Sequence, residues 1–202
     1  MYFGAQISLY PMTNDFVGVI TGALTALDPY RARLRVETDD LSTLLVGPPE
    51  AVMPAMRDLF AAAARTGVHT TLTATISRGC PGEPEESRCA SPQLDGPVLP
   101  LDQRQVLALQ SVAGAPDLDC AVAAQFALYV MGTEDHMAEI YGCIDFLEQA
   151  RVLDRPKNFC TRLAGDAGAV FAALEAAICR FGPPQGHVTI DLTASANSPT
   201  PR

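Results

Sequence analysis

A chain of 202 residues, 48% of them hydrophobic, can bury one substantial core or two small ones, and no apolar run approaches the roughly 20 residues of a spanning helix, which excludes a membrane span. Fourteen basic against 23 acidic residues leave a net charge of −9, which argues against nucleic acid or an acidic membrane surface as partner and is compatible with a cationic ligand. Met1-Tyr2-Phe3 carries no basic stretch, so a cytoplasmic protein is expected, with reduced thiols at Cys80, Cys89, Cys120, Cys143, Cys160 and Cys179, none in CxxC spacing.

From Phe3 to Tyr10, apolar Ala5, Ile7 and Leu9 alternate with Gln6, Ser8 and Tyr10, the period of a half-buried strand. Thr13-Asn14-Asp15 supplies caps for a helix over 14–27, striped by Phe16, Ile20, Ala23, Leu24 and Leu27 and stopped by Asp28-Pro29. Two short strands, 33–38 and 43–47, flank Asp39-Asp40-Leu41-Ser42. Pro48-Pro49 opens a second helix that buries Val52, Met56, Leu59, Phe60 and Ala63 and ends near Gly67. The strand from His69 to Ser77 splits into an apolar side (Leu72, Ala74, Ile76, with Thr70) and a hydroxyl side (Thr71, Thr73, Thr75, Ser77). Residues 79–119 read as a linker, irregular from Gly79 to Ser87 and amphipathic-helical from Leu101 to Val112.

The pattern then starts again. Ala124-Gln125-Phe126-Ala127-Leu128-Tyr129 echoes Ala5-Gln6-Ile7-Ser8-Leu9-Tyr10, and Gln6, Asp15, Gly47 and Ser77 recur as Gln125, Asp135, Gly165 and Ser195 at offsets of 118 to 120 residues. A unit of about 80 residues is a duplicated domain and not a solenoid repeat. In the second copy Met137, Ile140, Tyr141, Ile144 and Leu147 form the first helix stripe, Asn158 to Ala164 a strand, and Gly165-Asp166 the start of a helix carrying Val170, Phe171, Leu174, Ile178 and Phe181. Its last strand sends Val188, Ile190, Leu192 and Ala194 inward, and Thr189, Asp191, Thr193 and Ser195 outward.

The order strand, helix, strand, strand, helix, strand predicts an α+β chain of two tandem ferredoxin-like (ACT-like) βαββαβ repeats with antiparallel sheets, at 1–78 and 120–197, with linker 79–119 and a structureless tail 198–202. Two helices cover only one face of a four-stranded sheet. The other face carries Thr, Ser, Gln and Tyr where a plainly solvated face would carry Lys and Glu. It can build two related pockets, or one pseudo-symmetric cavity where the polar faces meet, suited to a small flat heterocycle that stacks on Tyr10 or Tyr129. No Gly-rich loop or basic cluster offers a phosphate site.

No catalytic, metal or cofactor site is expected. His69 and His187 occupy equivalent strand starts, which points to structural use, and His136 stands apart. Cys80 and Cys89 have the wrong spacing for a zinc knuckle, no flanking signature makes Cys160 a nucleophile, Asp39-Asp40 read as exposed loop acids, and Asp166 reads as a helix cap.

Ser8-Leu9-Tyr10-Pro11-Met12, Leu41-Ser42-Thr43, Gly79-Cys80-Pro81-Gly82, Gln125-Phe126-Ala127-Leu128-Tyr129, Gly165-Asp166-Ala167 and Leu192 to Pro199 together resemble the YkoF family of thiamin and hydroxymethylpyrimidine-binding proteins, over nearly the whole chain. The resemblance implies a non-enzymatic homodimer that binds one unphosphorylated thiamin, or its hydroxymethylpyrimidine moiety, per repeat and takes part in uptake or salvage, with a thiamin-precursor transporter as a further partner. It implies a first site at Leu9, Tyr10, Ser42 and Thr43 and a second at Leu128, Tyr129 and Thr161. The chain departs from the family pattern at Asp40, Val46, Val130 and Asn158. Two other readings of the residues are an ACT-like regulatory module that senses an amino acid or similar metabolite, and an enzyme acting on a thiamin fragment through a cysteine such as Cys160.

Overall fold

The computed structural model describes residues 3–79, 99–184 and 186–200. The first alternating stretch is strand β1 (Phe3–Pro11), with Ala5 and Ile7 buried and Gln6 and Tyr10 exposed. Helix α1 (Phe16–Leu24) starts at Asp15, whose carboxylate accepts from the Gly18 N–H at 3.3 Å. The expected helix to residue 27 instead tightens into a 3₁₀ turn over Thr25–Tyr30. Pro29 lies in that turn, and a residue preceding proline disfavours the α conformation, so the α-helix stops earlier than its apolar stripe. Strands β2 (Arg35–Thr38) and β3 (Thr43–Val46), helix α2 (Pro49–Ala64) and strand β4 (Thr70–Arg78) complete the first repeat.

Helix α3 (Leu101–Ala113) then leads into β5 (Ala121–Val130), α4 (His136–Gln149), β6 (Leu153–Pro156), β7 (Thr161–Asp166), α5 (Ala167–Arg180) and β8 (Val188–Ala196). Gly165 and Asp166, expected to begin a helix, end β7 instead, and Asp166 caps α5 by accepting from the Gly168 N–H at 2.7 Å. The same carboxylate accepts from Leu118 N and Cys120 N and so ties the entry of β5 to the start of α5. Burial would push its pKa up, but these backbone donors prevail and hold it below the usual carboxylate range.

The eight strands make one antiparallel sheet in the order β2-β3-β1-β4-β8-β5-β7-β6. β4 and β8 pair along their whole length, from Thr70↔Ala196 to Arg78↔Val188, so the repeats join edge to edge about a pseudo-two-fold axis. The chain thus has the tandem duplicated ferredoxin-like α+β fold. The two polar faces lie side by side as one surface and do not meet across a cavity. On the other side the helices bury a single core in which Phe60 of α2 packs against Phe171 of α5, ring centroids 5.9 Å apart. No helix of the described residues is long and apolar enough to cross a membrane.

Two polar features, one buried and one half-buried, were not legible in the periodicity. Arg78 ends the inward row of β4 at 2% exposure and donates to the carbonyls of Phe181 and Pro183, capping the far end of α5. Arg104 of α3 forms a bidentate pair with Glu139 of α4 at 2.7 and 2.8 Å and also donates to Arg180 O, fastening α3 across the second repeat. Cys120 and Cys143 are buried and Cys160 and Cys179 partly so, all as free thiols. Cys80, Cys89 and the irregular stretch expected around them lie outside the described residues, and residues 198–200 carry neither helix nor strand.

Candidate functional site

Backbone direction alternates along a strand, and two hydrogen bonds fix its phase in β1. Gly47 N donates to Phe3 O at 3.2 Å and Met12 N donates to His69 O at 2.8 Å, so odd-numbered residues turn their N–H and C=O toward β3 and even-numbered ones toward β4. β3 pairs only as far as Ile7↔Thr43. Beyond that point Leu9 turns its backbone donor and acceptor toward an edge that no strand covers.

A cleft of about 540 Å³ lies at this edge, walled by the end of β1, by Phe16, Ile20 and Leu24 of α1, and by the β2–β3 turn. Leu9, Tyr10, Ser42 and Thr43 all line it, so the structure brings the four expected first-site residues together. Ser42 Oγ accepts from Gln6 Nε2 at 2.5 Å, and the hydroxyls of Thr43 and Thr38 lie 3.0 Å apart. Ser8 Oγ donates to Leu41 O at 2.9 Å, which holds the turn against β1. Asp39 shapes the turn by accepting from Leu41 N and Ser42 N, both at 2.8 Å, and these donors hold its carboxyl below the ordinary range. Asp39 and Asp40, expected as plain loop acids, are exposed and line the cleft as well.

Such a cleft offers one backbone donor–acceptor pair, the hydroxyls of Ser8, Thr38, Ser42 and Thr43, apolar walls and a carboxylate rim. Those groups match the edge of an uncharged aromatic heterocycle with a cationic substituent. The threonine rows expected to build the pocket do not line it. They occupy the open face, where Thr71, Thr73, Thr75 and Ser77 stand opposite Ser195, Thr193, Asp191 and Thr189 across β4 and β8. His69 Nε2 lies 3.1 Å from Ser195 Oγ, and His187 Nε2 lies 3.0 Å from Ser77 Oγ, so each histidine bridges to the opposite repeat in the structural role expected of it.

The second repeat builds the same edge. Ala167 N donates to Cys120 O and Met131 N to His187 O, which turns Leu128 toward the side where β7 pairs only as far as Phe126↔Thr161. Tyr129 is 51% exposed against 50% for Tyr10, and Phe159 at the turn tip is 94% exposed against 77% for Leu41. Leu128, Tyr129 and Thr161 therefore occupy the places of Leu9, Tyr10 and Thr43. The turn itself differs: Lys157 N donates to Cys160 O as Asp39 N does to Ser42 O, so a lysine stands where the aspartate stood. Its Nζ donates to Gln125 Oε1 at 2.7 Å, replacing the Gln6–Ser42 bond of the first repeat.

A sequence model described as the YKOF-related family matches residues 2–83 and 121–201. The chain belongs to the YkoF-related family. A member from Bacillus subtilis (strain 168), named "Putative HMP/thiamine-binding protein YkoF", is 32% identical over 197 residues, spanning 98% of this chain and 91% of the relative. Both stretches matched by the YkoF model contain a turn and an uncovered strand edge of the kind described above.

The α1 wall and the acidic rim were missed by residue-level reasoning. Phe16 and Ile20 fit a helix stripe, and their spacing does not distinguish a side chain that meets the sheet from one that overhangs its edge. The exchange of Asp39 for Lys157 was readable from the repeat offset.

Proposed function

We propose that this chain is a cytoplasmic, non-enzymatic binding protein for unphosphorylated thiamin or its hydroxymethylpyrimidine moiety, with one site per repeat, serving uptake or salvage. The observation that carries this reading is the cleft at the uncovered β1 edge. There the backbone of Leu9 and the hydroxyls of Ser42 and Thr43 meet an apolar wall, with Asp39 and Asp40 at the mouth for a thiazolium charge. The name of the Bacillus relative supports the ligand class. The chain acts as a homodimer, for which the hydroxyl-rich open face, with Asp191 as the charged member of its β4–β8 rows, is the natural contact, and a thiamin-precursor transporter is its source of ligand.

A thermal-shift series with thiamin, hydroxymethylpyrimidine, the thiazole alcohol and amino acids tests the ligand class. A ligand at a hundred times its Kd adds about 2.7 kcal/mol per site, so thiamin and the pyrimidine should raise Tm and amino acids should not. Thr43→Ala should weaken thiamin about fivefold at the first site by calorimetry, the cost of one neutral hydrogen bond of roughly 1 kcal/mol. Unchanged affinity in that variant sinks the site assignment. A Tm rise with amino acids alone would favour a regulatory sensor.

A further inference from the structure

The two β-hairpins at the site mouths carry opposite charge. Between residues 35 and 46 the first has Arg35 against Glu37, Asp39 and Asp40, a net of −2, while residues 153 to 164 of the second have Asp154 against Arg155, Lys157 and Arg162, a net of +2. The inversion falls on structurally equivalent positions: Asp39 and Lys157 both close the turn, through Asp39 N→Ser42 O at 3.0 Å and Lys157 N→Cys160 O at 2.9 Å.

Arg155, Lys157 and Arg162, not expected as a basic cluster, gather on this hairpin because β6 folds back on β7, and their cationic excess is not consumed locally. Asp154 is shared between Arg162, in a short contact, and Arg155 at 3.8 Å, so one carboxylate serves two guanidinium groups. Lys157 spends its ammonium on a neutral amide oxygen, and among the described residues no carboxylate pairs with it. A solubilising surface on a protein of net charge −9 has no need of a cationic patch beside a strand edge.

Resting on the binding function proposed above, we propose that the two repeats differ in preference: the first favours the unphosphorylated, cationic form of the heterocyclic ligand, whereas the second also admits its phosphate monoester and holds it more tightly, with Lys157 as the residue that selects the anion. The ring enters at Leu9 in the first repeat and at Leu128 in the second, where the phosphate is directed to the Lys157 ammonium at the turn, beside the cross-strand neighbours Arg155 and Arg162. Asp39 and Asp40 repel the same ester from the first cleft. The two sites thereby sort one vitamer from its phosphorylated form instead of duplicating one another.

The test is an amide chemical-shift titration of the full chain with thiamin and with thiamin monophosphate, following residues 39–43 and 157–161 separately. Thiamin should act at 39–43 more tightly than its ester does. At 157–161 the ester should bind about tenfold more tightly than thiamin, the scale of one partly screened charge contact. Lys157→Gln should remove most of that advantage while leaving thiamin at 39–43 unchanged, and Lys157→Arg should retain it. An ester that binds both turns alike, or an advantage that survives Lys157→Gln, overturns the selection while leaving the binding function intact. If neither compound perturbs either turn, both the selection and the binding function fall.

Discussion

The mouths of the two repeats share a backbone and keep Gln6, Tyr10 and Thr43 as Gln125, Tyr129 and Thr161, but differ in the charged and polar side chains of the turn. β1 and β5 each run past the strand that flanks them, and each leaves one leucine facing an uncovered edge. Yet Asp39 corresponds to Lys157, Ser42 to Cys160, and a glutamine that bonds a serine hydroxyl in one repeat bonds an ammonium in the other. Strand termination, which the fold dictates, leaves each edge uncovered. Side chains on a four-residue turn set the polarity and charge beside it, and these are free to change because they carry little of the packing.

The comparison breaks most severely if the halves prove to be separate folding units. Phe60→Ala removes a fully buried ring from the first repeat that packs on Phe171 of the second, and should cost about 4 kcal/mol. Denaturant unfolding of that variant should remain a single transition shifted to lower midpoint. Two separated transitions would mean the shared core is not cooperative.

A smaller effect should expose what belongs to the second repeat alone. Glu139→Ala leaves Arg104 without its carboxylate in a site where both side chains are about 15% exposed, and should cost about 3 kcal/mol. Burial pushes the Glu139 carboxyl up, but the Arg104 guanidinium and the Gly182 N–H outweigh it, and the folded pKa lies below the ordinary value. A depressed carboxylate contributes stability above its unfolded pKa of about 4.3 and loses it as pH falls through the folded value. An acid titration of stability should therefore show a component below about pH 4 that Glu139→Gln abolishes.

Least of all should be felt at the turn tips. Leu41→Ser and Phe159→Ser alter exposed side chains and should each change stability by less than about 0.5 kcal/mol. Each should weaken thiamin-type ligands at its own repeat only. Loss at both repeats from either change would contradict two independent mouths.

Much of this architecture could be read from the chain because alternation is a local signal. The inward rows of β1, β4 and β8 follow from Ala5-Ile7, Leu72-Ala74-Ile76 and Ile190-Leu192-Ala194, and the duplication assigns the second copy once the first is understood. β6 gave no such signal, since Leu153-Asp154-Arg155-Pro156 is an edge strand with a register shift and one half-buried residue. The joining of β4 to β8 is a long-range pairing that leaves no mark on either strand. Of the candidate site, Tyr10 and the turn residues expected from the sequence line the cleft, whereas its α1 wall left no signal. It depends on where α1 sits over the end of β1. Arg78 shows the same limit: an arginine at the end of an inward row is ordinarily solvated, and only the carbonyls at the end of α5 give it a reason to be enclosed.

Pairing of β4 with β8 along nine residues also bears on ancestry. A lone repeat would finish on a naked strand, its hydrogen-bonding groups open to any neighbour, and the simplest way to satisfy them is an identical twin. While the twins are separate molecules, every substitution appears in both recesses at once. Once one gene encodes the pair, a lysine can replace an aspartate on one side only, and a symmetric vessel becomes a device with two unlike ends.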